Sequence, residues 1–163
     1  MVHETISLRK AKISDLAAIN KIIDNAIITW DIPERVRRLS LPSYQYSPHD
    51  LDTLELLVAE NSQQEITGLA AWEKADPRDA PPGKNALLLH GLYVDPEFHH
   101  QGIGQKLYYA AEQAAVKQGF DGLLVKAQSN ATGFFKAQGM EALTVQNESR
   151  DYMHRYWKSI SGN

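Results

Sequence analysis

Ile6 and Leu8 alternate with polar and charged neighbours over residues 6–10, the period-two pattern of a half-exposed strand. Leu16, Ile19, Ile23, Ala26 and Ile27 then recur at helical spacing, with Ser14 as the expected N-cap and Asp15 in the first turn. Between residues 30 and 48 both periods fail, because Pro33, Pro42 and Pro48 punctuate the segment; irregular chain is expected there, with at most a turn of helix over residues 34–39. Ser47 or Asp50 is placed to cap a short helix reaching Leu54. Residues 55–60 and 66–73 read as two strands of an antiparallel hairpin, joined by the polar connection 61–65. Residues 76–85, with Pro77, Pro81, Pro82 and Gly83, read as a mobile hairpin loop. An apolar strand ending at Val94 follows, then a turn at Asp95-Pro96, a glycine-bearing loop, and a helix over residues 105–118 with Gly119 as its C-cap. A short strand over 122–127, a helix over 130–138 ending at Gly139, and strands over 142–146 and 152–158 complete the pattern. The strand-loop-helix-strand unit in the middle predicts a parallel pair joined by a right-handed crossover.

Composition narrows the picture. A chain of 163 residues with 43% hydrophobic residues suits a single domain with one core. The formal charge of -3 supplies no positive field for nucleic acid or an anionic membrane surface, and the cluster Arg35, Arg37, Arg38 is short enough to be a solvated face. There are no cysteines, which excludes disulfides, thiolate metal sites and a cysteine nucleophile. No segment approaches the ~20 apolar residues that cross a bilayer, and the N-terminus lacks a basic then apolar leader, so a cytoplasmic protein is expected.

The loop between strand and helix is where chemistry concentrates. A helix opening out of a glycine loop offers unpaired N–H groups and the positive end of its dipole to an anion. The P-loop pattern fails here, since Gln105-Lys106-Leu107 follows Gly104 and the metal-binding hydroxyl is missing; the dinucleotide fingerprint fails at Leu107, where a third glycine is needed. The run Leu92-Tyr93-Val94-Asp95-Pro96, then His99-His100-Gln101-Gly102-Ile103-Gly104, resembles the acyl-CoA-binding motif of the GNAT superfamily of N-acetyltransferases, Gln/Arg-x-x-Gly-x-Gly/Ala. Downstream, the run from Ala131 through Phe134-Phe135 to Gly139-Met140 resembles that family's second motif, Ala-x-x-Phe-Tyr-x-x-x-Gly-Phe.

The resemblance implies an α/β fold of the GNAT type, a mixed and mostly antiparallel sheet of about six to seven strands flanked by about four helices. It implies acetyl-CoA as acyl-donor cosubstrate, with the N–H groups of Gln101, Gly102, Ile103, Gly104 and Gln105 around the pyrophosphate. His99 and His100 belong to the same loop, and His99 stands where the family has Gln or Arg. The strand end Leu92, Tyr93 and Val94 is implied to pair with the pantetheine arm, with Ser129, Asn130, Phe134 and Phe135 as further cofactor contacts. Phe135 occupies the family's usual tyrosine position, so the acid that protonates the leaving thiolate is missing from its expected place.

Acetyl transfer from a thioester to an amine needs an uncharged amine, a polarised carbonyl and a protonated leaving group. An imidazole, with its ordinary pKa of ~6.5, suits the first need, and His90 precedes the loop on the strand. The run His90-Gly91-Leu92-Tyr93-Val94 is also similar to the His-x-Leu-x-Val run of arylalkylamine N-acetyltransferases, which implies a role in deprotonation. For the acid, Tyr152 and Tyr93 are the candidates, with solvent as the alternative; on a regular strand Tyr93 and His90 would face opposite sides. Glu60 and Glu73 read as solvated charges, with attraction of a cationic amine as a second role, and Trp30, Tyr44, Tyr46 and Trp72 as walls of an acceptor site. No metal is expected, because adjacent His99-His100 lack a third ligand at a recognised spacing. The leading expectation is an acetyl-CoA-dependent N-acetyltransferase acting on a primary amine of a small molecule or peptide by direct transfer in a ternary complex, with no nucleic-acid or membrane partner. The rival is a non-catalytic acyl-CoA-binding sensor. The family's frequent dimerisation leaves a homodimer open.

Overall fold

The computed structural model describes residues 5–99, 101–128, 131–145 and 154–160. Among these, seven strands form one open sheet: β1 (Ser7–Lys10), β2 (Glu55–Glu60), β3 (Ile66–Lys74), β4 (Ala86–Val94), β5 (Gly122–Lys126), β6 (Glu141–Ala142) and β7 (Arg155–Ser159). Their order is β1-β2-β3-β4-β5-β7-β6. Five α-helices accompany them: α1 (Leu16–Ile28), α2 (Glu34–Tyr44), α3 (Pro48–Thr53), α4 (Ile103–Lys117) and α5 (Thr132–Ala137). The pair β4 and β5 is parallel, in register from Ala86 with Gly122 to Leu89 with Val125, as the crossover through α4 requires. β7 runs antiparallel to both β5 and β6.

Contacts gather in two compact units, residues 1–71 with 91–108 and residues 72–90 with 109–163, so that β3, β4 and α4 each contribute to both. The first unit has its core under α1. Ile19, Ile22, Ile23 and Ile27 are buried against Leu56, Val58, Leu69 and Ala71 of β2 and β3. A 3-10 turn over Ile13–Asp15 leads into the helix, and the Asp15 carboxylate accepts the Lys12 N–H at 2.8 Å to close that turn; Asp15, not the expected Ser14, stands at the N-cap of α1, without a side-chain cap bond. Arg9 of β1 grips the same carboxylate through two nitrogens, at 2.8 and 3.0 Å, and reaches Glu60 of β2 at 3.1 Å. Glu60 is therefore a structural ion-pair partner, not a solvated charge.

The second unit packs Ala86 and Leu124 with Leu88, Leu143 and Trp157. The loop over residues 76–85, expected to be mobile, is tied down: Asp79 accepts an ion pair from Lys126 at 2.9 Å, and its carbonyl accepts a hydrogen bond from Arg155 at 2.8 Å.

The proline-rich segment departs most from expectation. Residues 34–44 form an 11-residue helix with Pro42 inside it. Pro33 precedes the first turn, where a preset φ favours a helix start, and its carbonyl accepts the Arg37 N–H at 3.0 Å. Pro42 lies in the last turn, where a single lost hydrogen bond is tolerated. β6 and β7, Glu141–Ala142 and Arg155–Ser159, are shorter or shifted relative to the expected strands.

Candidate functional site

Asp95 ends the central strand by engaging three backbone groups. Its N–H donates to the Thr67 carbonyl at 2.8 Å, its side chain accepts the Glu97 N–H at 3.0 Å, and its carbonyl accepts the Phe98 N–H at 2.8 Å. Pro96 starts the resulting single 3-10 turn, Pro96–Phe98. His99, Gln101 and Gly102 are exposed. Gly102 has φ of 76°, a left-handed conformation that a side chain disfavours, and a Cβ built there meets nothing within 4 Å. The Lys106 N–H bonds the Gly102 carbonyl at 3.1 Å, which makes Ile103, Gly104 and Gln105 the first turn of α4, whose N–H groups have no acceptor within the helix.

That first turn is clamped from below. Ile103 and Leu107 are buried and lie over Gly68 of β3, where a Cβ would come within 3.1 Å of each and 2.9 Å of the Tyr93 carbonyl oxygen. Gly68 thus lets α4 approach the sheet. Lys106 adds a hydrogen bond from its Nζ to the Ile6 carbonyl. An isolated glycine inside a strand pattern is the sequence signal for such a close approach, and it identifies Gly68 as a positioning residue that motif reading passes over.

β4 is not a regular strand. Ala75 bonds Ala86 at one end of its pairing with β3, and Asp95 bonds Thr67 at the other; the interval is nine residues along β4 and eight along β3. The β4 side thus carries one extra residue between Ala86 and Asp95, a β-bulge, while the Tyr93 ring shares the space beside Gly91, so these two residues keep to one face. His90 is exposed, while Leu92, Tyr93 and Val94 are half-buried. The register with β5 ends at Leu89, five residues before β4 itself ends at Val94.

Of the aromatic residues assigned to an acceptor wall, Trp30, Tyr44 and Tyr46 belong to one apolar cluster of the first unit, together with Tyr93. Trp30 and Tyr44 meet edge to face, with centroids 5.3 Å apart. Tyr46 is buried, and its hydroxyl occupies the space a Gly91 side chain would need, with the Tyr93 ring 3.0 Å from the same point. Trp72 belongs to the second unit and is buried, with its indole N–H lacking a partner among the described residues.

Phe135 is buried on α5, edge to face with half-buried Phe134 at 5.2 Å, and its carbonyl accepts the N–H groups of Gln138 and Met140 that close the helix toward Gly139. His100, Ser129, Asn130 and Tyr152 lie outside the described residues. Among the described residues no group of three or more histidine and carboxylate side chains gathers as metal ligands would, and no helix is long and apolar enough to cross a membrane.

Residues 25–140 match the acetyltransferase (GNAT) family. No curated protein sequence matches the chain. Among solved structures, the PaiA N-acetyltransferase of Thermoplasma acidophilum, in complex with coenzyme A, superposes with a TM-score of 0.76 at 17% identity, over 95% of this chain and 99% of its own. A GCN5-related N-acetyltransferase from Rhodopseudomonas palustris gives 0.74 at 24% identity over 98% of both chains. A GNAT acetyltransferase from Brucella melitensis, in complex with acetyl-CoA, gives 0.67 at 17% identity over 99% of this chain and 92% of its own.

Proposed function

The chain belongs to the GNAT family of acetyltransferases, and on that premise we propose that it carries the acetyl group of acetyl-CoA to a primary amine of a small molecule or peptide, by direct transfer in a ternary complex. The observation that carries this reading is the turn from β4 into α4. Gly102, at φ of 76° and with open space beside its Cα, leaves backbone N–H groups approachable by an anion at the positive end of a 15-residue helix. The residues fit a pyrophosphate: Gln101, Gly102, Ile103, Gly104 and Gln105 would hold it by backbone, and the backbone of Leu92 and Val94 would receive the pantetheine arm. When bound, acetyl-CoA supplies an activated acyl group.

The protein's part is then positioning and proton transfer. His90, exposed on β4, takes the proton from the incoming ammonium, directly or through water. With no cysteine in the chain, a thioester acyl-enzyme is not an option, in keeping with direct transfer.

The competing reading, a sensor that binds acyl-CoA without turning it over, draws on Phe135, a buried packing residue where the family has its acid. Thiol release from acetyl-CoA across phenethylamine, spermidine, glucosamine and a lysine peptide, measured beside calorimetric binding of CoA, separates the two. Amine-dependent thiol release, with intersecting initial-rate lines, is the expected result. Binding of CoA with no release on any amine would establish the sensor.

A further inference from the structure

Tyr46 is held by a device that its position in a proline-rich segment does not foreshadow. Its N–H donates to Asn20 Oδ1 at 2.8 Å, and its carbonyl accepts from Asn20 Nδ2 at 2.9 Å, so one side-chain amide of α1 grips both main-chain groups as a neighbouring strand would. The adjacent Gln45 is tied to Asp24 of the same helix at 2.9 Å. The ring is buried, and the hydroxyl rests against the backbone of Gly91, a position that a Cβ would take from it. Tyr93 closes the same space from the side. The outcome is a phenol fixed against Gly91, the β4 residue between His90 and Leu92.

We propose that Tyr46 is the catalytic acid, its Oη protonating the sulfur that leaves, the task for which Phe135 has no hydroxyl; this rests on the function proposed above. As the amine nitrogen forms its bond to the carbonyl carbon, the carbon–sulfur bond breaks with its electron pair staying on sulfur. Tyr46 Oη gives its proton to that pair and regains one released by the amine nitrogen, so no further reactant is consumed. A phenol of pKa ~10 and a thiol of pKa ~8.5 are near enough for the proton to pass as the bond breaks.

Tyr46→Phe keeps the packing and removes the proton. The expected result is a fall in kcat of about 100-fold, with KM for acetyl-CoA and the melting temperature unchanged, and a much smaller fall when the donor is an acetyl thioester of a more acidic thiol. Asn20→Ala, which loosens the grip and keeps the phenol, should fall part of the way. A binding readout stands apart from turnover. At about pH 9, where the thiol is largely ionised, wild type should bind CoA about tenfold tighter than desulfo-CoA, and Tyr46→Phe should lose that preference. Active wild type with a fully active Tyr46→Phe, or one equally slowed with both donors, overturns the acid role alone. Wild type that binds CoA and acetylates no amine overturns the function and this role together.

Discussion

The proposed roles of His90 and Gly102 fall to a side chain and a backbone respectively, and each is tested by a single substitution. The exposed imidazole of His90 is the assigned base, so His90→Ala should lower kcat by about 100-fold and abolish the acidic limb of its pH profile, while CoA affinity stays unchanged. A pH profile of kcat identical to wild type would remove His90 from the mechanism. Gly102 contributes no side-chain chemistry, and a Cβ there has room but sits at φ of 76°. Gly102→Ala should therefore strain or shift the turn at a cost of about 1–2 kcal/mol. Calorimetry should read CoA binding weakened about tenfold, and thermal melts a fall of about 2–8 °C. The turn from β4 into α4 is legible in the sequence because glycine spacing, which is local, sets it. The placement of Tyr46 is not legible: its hydroxyl lies against Gly91, distant in sequence, and its backbone is held by Asn20, a polar position on α1.

At the scale of elements, α4 and β4 owe their positions to contacts that no periodicity announces. Ile103 and Leu107 can seat on β3 because Gly68 presents no Cβ, and the Tyr93 carbonyl, being backbone, cannot retreat from one. Gly68→Ala should destabilise the protein by about 1–3 kcal/mol through overpacking, and also weaken CoA binding, since it displaces the first turn of α4 and the Tyr93 carbonyl together. Calorimetric binding with melting data checks both; a destabilised variant that binds CoA as tightly as wild type would mean that the seat of α4 is not transmitted to the loop. The strands and α1 are readable from their alternation and helical spacing. α2 is not, because Pro42 reads as a breaker until its place in the last turn is known. The bulge in β4 is equally hidden, since it is a difference of one residue between two strands and exists only once they are paired.

Folding as a whole inherits a pH dependence from the charges that join β1, β2 and the start of α1. Arg9, through its hydrogen bonds, holds the Asp15 carboxyl below the ordinary carboxylate range against a desolvation that opposes it, and the Lys12 N–H adds to the effect. Arg9 is in turn held more firmly protonated by Asp15, then by Glu60, so it keeps its charge at every pH at which the protein is handled. The sign of the stability change follows from Asp15. Above the unfolded pKa of ~3.9 both states carry the charge and the full stabilisation is present. As pH falls below that value the unfolded chain takes up the proton first, and stability is lost progressively until the folded carboxyl is protonated too. Arg9 adds no slope in this window, because it is charged in both states. Asp15→Asn breaks a charge-assisted pair whose acidic side chain is 9% exposed, and should cost about 1.5–3 kcal/mol at neutral pH. For a chain of this size that is a fall in melting temperature of about 3–12 °C. The same substitution should flatten the acid limb: wild type and variant, well separated at neutrality, converge as pH drops from about 4 toward 2. Thermal melts at stepped pH measure this directly, and a separation that stays constant across the window would show that the Arg9–Asp15 pair is not the source of the acid sensitivity.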